Sequence, residues 1–301
     1  MPQDRPRRIV ASVISPTTRP AFTVPCAHGH VLELGPRTLV MGIVNVTPDS
    51  FAGGVPTVDA AVALALELAD EGADIIDIGG ESTRPGAESV TADEEASRVL
   101  PVIERLAGRL RVPMSVDTYK AETAEAAVRA GAAIVNDISG LGYDPRLGGV
   151  AARTGAGLIL MHTRGRSREM YRDADYADVA GDVAAELAQA LDRAESAGVD
   201  RGRTLIDPGI GFAKRAEDSY AVLAGLPRLL PLRRPVLVGP SRKSFLAQAA
   251  GGAGPAGREW GTAAAVTAAI LLGAHVVRVH GVAAMVQVAR TADMIRQRAP
   301  A

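Results

Sequence analysis

The sequence predicts one α/β unit closed into a (β/α)8 TIM barrel behind a short N-terminal arm or hairpin. Three observations carry the prediction. Eight short apolar segments of strand-like composition recur along the chain. Segments rich in Ala, Leu, Glu and Arg, with helical periodicity, separate them. Such alternation means parallel strands joined by helical crossovers. The units fill roughly 240 residues of a 301-residue chain, as a closed barrel does. An open doubly wound sheet is the competing arrangement.

Taken in order, the strand segments are LVMGIVNV (39–46), DIIDIGG (74–80), VPMSVDT (112–118) and AAIVNDIS (132–139). GLILMH (157–162), TLIDPG (204–209), PVLVGPS (235–241) and HVVRVHG (275–281) complete the set. Between them, residues 91–110 read as a helix. Thr91 and Glu94 form a capping-box pair, and Val99, Ile103, Leu106 and Leu110 repeat at helical spacing. Residues 182–198 read as another, closed by Gly198. Residues 1–30 form the expected arm and 31–298 the barrel, with no second domain. HGHVLELG (28–35) is expected to form a short hairpin plugging the barrel bottom.

Hydrophobic residues make up 47% of the chain, enough for a large core. Lys and Arg number 33 against 34 Asp and Glu, so no charge excess points to nucleic acid or an anionic membrane. The low aromatic content, 3%, also argues against base-stacking platforms. A single cysteine, Cys26, excludes an intrachain disulfide and a cysteine-rich metal site, and a cytoplasmic location is expected. The N-terminal stretch lacks the apolar core of a signal peptide. The longest apolar run, 263–277, contains Gly273 and His275 and is too short to span a bilayer. It reads as a buried helix leading into a strand.

Most strand segments end in a polar or ionisable group. The series is Asn45, Asp77, Asp117, Asn136 or Asp137, His162, Asp207, Ser241 with Lys243, and Arg278 with His280. In a barrel these ends gather at the C-terminal face, where active sites are built. Some of them, such as Asp117, Asp207 or Ser241, have the alternative of simply capping a helix. Arg278 and His280, two apart on a strand, share one face. They form either an anion clamp, or a structural arginine paired with a barrel carboxylate beside an imidazole. His162 is equally readable as a satisfied supporting residue. Ser241, Arg242, Lys243 and Ser244 are expected to open a helix, whose free amides favour anions. There is no GxGxxG after the first strand, no GxxxxGK[ST] and no HExxH. A nicotinamide enzyme, a P-loop enzyme and a zinc site are therefore disfavoured. Asn45 with nearby carboxylates suits one hard cation, and Mg2+ with phosphate oxygens and waters fits such donors. The stretch MGIVNVTPDSFAGG (41–54) reads locally either as an ordinary loop or as an active-site flap.

With these residues in view, the chain resembles the dihydropteroate synthases of the pterin-binding barrel family. The matching stretches run in order: MGIVNVTPDSF (41–51), GADIIDIGGESTRPGAE (72–88), VPMSVDTYKAE (112–122) and GAAIVNDISG (131–140). LILMH (158–162), LIDPGIGF (205–212), LVGPSRKSF (237–245) and VVRVHGV (276–282) follow. GGESTRPG and SRKS are specific to that family rather than to barrels at large.

The resemblance implies a Mg2+-dependent condensation of 6-hydroxymethyl-7,8-dihydropterin diphosphate with 4-aminobenzoate, through SN1-like loss of diphosphate. It implies a homodimer paired through barrel helices, and sulfonamides as mimics of the amine substrate. Asp117, Asn136, Met161, Asp207, Phe212 and Lys243 would bind the pterin. Asn45, Arg278 and His280 would hold the diphosphate, with the metal on Asn45. Asn45, Lys243, Arg278 and His280 would form the catalytic set, and Asp77 would orient Asn45 or Arg278. Thr83, Arg84, Pro85, Phe212 and Ser244 would frame the aminobenzoate. Thr47, Pro48, Asp49, Ser50, Phe51 and Ala52 would form a lid that shields a reactive cation from water.

Three departures from the family pattern stand out. Ala52 replaces a Ser-Asp pair in the first loop, MHTRGRS (161–167) replaces the usual MHMQGxP, and Pro240 precedes SRKS. They keep open a pterin-binding paralogue with weak or no synthase activity. A methyl-transferring relative would lack STRPG and SRKS, and a non-catalytic interaction barrel would lack the polar series.

Overall fold

The computed structural model describes residues 19–47, 54–84, 86–172 and 174–298. Eight parallel strands form the barrel: β3 (Leu39–Asn45), β4 (Ile75–Gly79), β5 (Met114–Asp117), β6 (Ile134–Asp137), β7 (Gly157–Met161), β8 (Thr204–Asp207), β9 (Leu237–Val238) and β10 (Val276–Val279). Their order is β8-β7-β6-β5-β4-β3-β10-β9, and a parallel bridge between Ile206 and Val236 joins the two ends. This is the barrel that the alternation predicted. The strands are mostly apolar because both faces are covered, by helices outside and by packed side chains within.

Among the described residues, eight α-helices surround the strands: α1 (Val58–Asp70), α2 (Ala92–Leu106), α3 (Ala121–Ala130), α4 (Arg146–Thr154), α5 (Val179–Ser196), α6 (Ala216–Ala224), α7 (Glu259–Leu271) and α8 (Val282–Arg296). In α2 the Thr91 hydroxyl accepts from Glu94 N at 3.2 Å, and Val99, Val102, Ile103 and Leu106 turn inward. Past α5, Gly198 takes φ 91° and its amide returns to Glu195 O at 2.9 Å. The long apolar run is α7 leading into β10.

The N-terminal hairpin pairs β1 (Phe22–Pro25) with β2 (Val31–Leu34) in antiparallel register. Its first strand lies upstream of the HGHVLELG stretch, which supplies only the turn and β2. The apolar alternation in FTVP is too short to announce itself. Val24, Leu32 and Leu34 pack on Leu39, Met41, Ile75, Ile134, Ile159, Leu205, Leu237 and Val276, and so close the N-terminal mouth of the barrel. Arg19 fastens the arm by donating to Ala274 O at 2.6 Å and to Asp293 Oδ1 at 2.9 Å. Chemistry is thereby left to the opposite, C-terminal mouth.

Candidate active site

At the C-terminal mouth the strand ends supply a connected polar network. Asp77 on β4 is fully buried, and its Oδ2 accepts from Arg278 Nε at 2.6 Å and from Asn136 Nδ2 at 3.1 Å. Arg278 on β10 also donates through Nη2 to Asp117 Oδ2 at 2.6 Å, while Nη1 makes no hydrogen bond among the described residues. Of the two sequence readings of Arg278, the structure shows the pairing with barrel carboxylates.

Burial pushes the Asp117 carboxyl up to about 7, against the pull of the Arg278 charge, and Asp77, Glu95 and Glu81 push the same way. Burial also raises Asp207, whose Oδ1 accepts from Gly209 N at 2.7 Å. Lys243 is held down to about 8 by burial, against the opposing attraction of Asp207. Its Nζ donates to Ile210 O at 2.5 Å and sits 4.4 Å from the Phe212 ring centre. Met161, Phe212, Ile138, Tyr119 and Tyr143 form one apolar cluster beside these groups.

His280 is driven down to about 3 by burial, with Arg242 and Arg278 adding to the effect. Its Nδ1 lies 3.0 Å from Ser241 Oγ, which also accepts from His280 N at 3.2 Å. Ser241 Oγ and His280 Nδ1 thus share one hydrogen bond, and the tautomer in which the hydroxyl donates keeps the ring proton on Nε2.

Asn45 ends β3 beside Gly79, and its carbonyl accepts from Val55 N at 2.8 Å. Asn45 also bridges to Gly54, so the ends of the first loop are tied together. Thr47 is buried within that loop. Pro48, Asp49, Ser50, Phe51 and Ala52 of the expected lid, and Pro85 of the second loop, lie outside the described residues. Thr83 is half-buried, whereas Arg84 and Ser244 are exposed. Ser244, Phe245, Tyr171 and residues 214–216 line a cavity of about 410 Å3.

One expectation is corrected. Residues 241–244 do not open an α-helix. Ser244–Leu246 make a single 3-10 turn, and the next helix, α7, begins at Glu259. Arg242 sits at φ 59° with its guanidinium on Glu259, and Gly251 and Gly252 also take positive φ, so helical geometry does not propagate. No helix dipole acts at Ser244.

His162 is a satisfied residue: its Nε2 faces Glu186 Oε2 at 2.9 Å and its Nδ1 faces Lys214 Nζ at 2.8 Å. In the altered MHTRGRS segment, Arg164 pairs with Glu186 and stacks 4.1 Å from the Tyr176 ring, and Arg166 lies 4.5 Å from the Tyr143 ring. The arginines of this loop thus face α5 and the tyrosines. Sequence reasoning missed Lys214 and also Glu81, which accepts from Tyr119 Oη at 2.9 Å and Lys120 Nζ at 2.6 Å. Glu81 stands in the GGESTRPG motif that carried the family resemblance, so its signal was present in the sequence.

Among the described residues no group of three or more His, Cys, Asp or Glu could hold a metal alone. The amide oxygen of Asn45 suits a hard cation.

The pterin-binding enzyme family profile matches residues 41–280. A dihydropteroate synthase of Synechocystis is 45% identical over 277 residues, 91% of this chain and 96% of that protein. One of Bacillus subtilis is 48% identical over 261 residues, 86% of this chain and 88% of that protein. The structure of the Xanthomonas albilineans dihydropteroate synthase with 4-aminobenzoic acid superposes with TM-score 0.84 at 45% identity, covering 92% of this chain and all (100%) of that one. That of the Yersinia pestis dihydropteroate synthase with a sulfonamide drug superposes with TM-score 0.85 at 40% identity, covering 90% and 98%. On the barrel, its polar C-terminal mouth and these likenesses, the chain belongs to the dihydropteroate synthases of the pterin-binding enzyme family.

Proposed function

We propose that the chain condenses 6-hydroxymethyl-7,8-dihydropterin diphosphate with 4-aminobenzoate, forming 7,8-dihydropteroate for folate synthesis and releasing diphosphate. The observation that carries this reading is the network of Asp77, Asp117, Asn136 and Arg278, with Asp207 and Lys243 across the mouth. A flat polar heterocycle needs convergent donors and acceptors in a water-poor pocket. Asp117 and Asp207 accept from the ring's amino and N–H groups, and the Asn136 amide does both. Lys243 donates to the ring's oxygen or nitrogen edge. Met161 and Phe212 cover its faces, in keeping with their shared apolar cluster.

The Nη1 edge of Arg278 and the neutral Nε2–H of His280 take diphosphate oxygens. Asn45 would hold Mg2+ together with phosphate oxygens and waters, and the metal would neutralise charge on the leaving group. The C–O bond to the exocyclic methylene breaks with its electron pair going to diphosphate. The ring shares the positive charge that results, and Asp117 and Asp207 face it. The aryl amine nitrogen then forms the new C–N bond and loses a proton to solvent. An aryl amine is a free nucleophile near neutrality, so no strong base is needed.

Thr83, Arg84 and Pro85 from the second loop, with Phe212 and Ser244, frame the aminobenzoate. The cavity beside Ser244 supports that placement, and Arg215 at its rim supplies positive charge for the carboxylate. The first loop, from Thr47 to Ala52, acts as the lid. A homodimer is supported by large apolar side chains left exposed on neighbouring helices: Trp260 at 88%, Met294 at 58% and Ile295 at 51%. A cytoplasmic site of action is in keeping with the free, buried thiol of Cys26. No helix among the described residues is long and apolar enough to cross a membrane.

The test is an incubation of the purified chain with Mg2+, dihydropterin diphosphate and labelled 4-aminobenzoate. Labelled dihydropteroate is the expected product. Binding of the pterin diphosphate without product would return the paralogue reading opened by Ala52.

A further inference from the structure

Lys214 is a buried charged side chain that the mechanism does not use. Only 2% of it is exposed. Its Nζ lies 2.8 Å from His162 Nδ1, 3.0 Å from Gly209 O and 3.0 Å from Phe212 O. The His162 carbonyl, at 3.4 Å, is a weaker fourth partner. An ammonium has three N–H groups, and the three close acceptors use them all. Because His162 accepts at Nδ1, it donates from Nε2 to Glu186 Oε2 at 2.9 Å.

The segment that Lys214 grips is the turn after β8. Gly209, Gly211 and Ala213 take φ of 65°, 80° and 47°, so the backbone folds tightly back on itself. A Cβ at Gly209 would overlap the His162 carbonyl oxygen, and one at Gly211 would meet Lys243 Cδ at 2.9 Å. The same turn carries three recognition elements. Asp207 caps it through Gly209 N, the Ile210 carbonyl holds Lys243 Nζ, and the Phe212 ring lies against that ammonium. A left-handed turn of glycines has many alternatives when released. What selects this one is the charge that draws the Gly209 and Phe212 carbonyls and the end of β7 to one point.

We propose that Lys214 is a positioning residue for pterin recognition, its ammonium setting the turn so that Asp207, Phe212 and Lys243 converge on one ligand. The proposal rests on the synthase reading. The groups that face Lys214 are His162 and Arg164 from β7 and the loop after it, Glu186 from α5, Asp207 from β8 and Lys243 from the loop after β9. Burial pushes Lys214 down to about 7, with Lys243 and Arg164 adding to this and Asp207 and Glu186 opposing it. A neutral amine keeps two N–H groups for three acceptors and turns its lone pair toward one of them. The grip on the turn is therefore complete below about pH 7 and weakens above it. Lys243 titrates nearby, but Asp207, Arg278 and Asp117 are the main charges that act on it. Of the two lysines, Glu186 acts on Lys214 and not on Lys243.

The test is calorimetric titration of the whole chain with unphosphorylated 6-hydroxymethylpterin between about pH 6 and 9.5, with Lys214→Met and Glu186→Gln beside it. Lys214→Met is expected to raise Kd about tenfold or more at the acid end, by leaving buried acceptors unmet. Glu186→Gln keeps the hydrogen bond to His162 and the Kd at the acid end. It removes a charge that favours the ammonium, so the midpoint of the alkaline weakening moves down by about half a unit. A folded Lys214→Met with unchanged Kd, or a Glu186→Gln profile that superposes on the parent, overturns the proposal. If Lys214→Met does not fold, the Glu186→Gln shift decides alone. A parent chain that binds no pterin at any pH removes the synthase reading itself, and with it this proposal.

Discussion

Replacement of Arg278 by Ala separates the two jobs of the strand-end network. The guanidinium meets Asp77 and Asp117 at 2.6 Å each, and the three side chains are 18%, 0% and 11% exposed. Removing one partner of such a buried cluster leaves uncompensated charge and costs about 3 kcal/mol or more. A melting temperature lower by about 6 °C follows for a chain of this size. The largest force holding the Asp117 carboxyl down is also lost, so its pKa climbs further above about 7 and the group becomes neutral under assay conditions. Two ligand effects then follow. The diphosphate loses a charge-assisted hydrogen bond worth about 1.5–3 kcal/mol, a 10- to 150-fold rise in Kd. The unphosphorylated pterin loses only the ionised acceptor of Asp117, and regains it as pH is raised. Calorimetry with both ligands at neutral and alkaline pH reads the difference. The diphosphate deficit persists at alkaline pH while the pterin deficit shrinks. Equal losses for both ligands at every pH would refute the reasoning.

Asp207→Ala leaves the ring N–H groups without an acceptor and releases Gly209 N, so pterin affinity is expected to vanish in calorimetry; unchanged affinity would remove Asp207 from the site. Chelation of Mg2+ is expected to stop turnover while leaving binding of the unphosphorylated pterin unchanged, and loss of both would contradict metal binding through the phosphates. Burial holds His275 down to about 4 from 6.5. Its Nδ1 accepts from Val236 N at 3.1 Å and its Nε2 faces Pro20 O at 3.0 Å, so a second ring proton would oppose an amide. Because the folded value lies below the unfolded one, stability is fully present above about pH 6.5 and is lost as pH falls toward about 4, by about 3 kcal/mol. Urea midpoints measured against pH for the parent and for His275→Gln isolate this share. The variant's acid decline is expected to be shallower, and parallel curves would contradict it.

Much of this arrangement is legible in the residues because strands buried on both faces are spelled as plain apolar runs. A polar group at the end of such a run marks the C-terminal mouth directly, which is how Asn45, Asp77, Asp117, Asn136, Asp207 and Arg278 come into view. What stays hidden depends on backbone geometry or on partners distant in sequence. Ser241–Ser244 carries the chemistry of a helix start, but the positive φ of Arg242 and its partner Glu259 turn the chain away. Nothing in the sequence singles out Lys214, because only the folded turn brings the Gly209 and Phe212 carbonyls onto its ammonium. Arg278 offered two readings because periodicity places it on a face but does not say which atoms its fork meets. In the structure two of its nitrogens meet barrel carboxylates, and the third makes no hydrogen bond among the described residues.

The most direct measurement is stoichiometric. The purified chain, loaded with Mg2+ and dihydropterin diphosphate, is mixed with 4-aminobenzoate, and diphosphate release is followed alongside dihydropteroate formation. The account predicts one diphosphate per dihydropteroate, with both signals lost in Asp207→Ala and strongly reduced in Arg278→Ala. Tight binding of the pterin diphosphate with no diphosphate released on addition of the amine would contradict it.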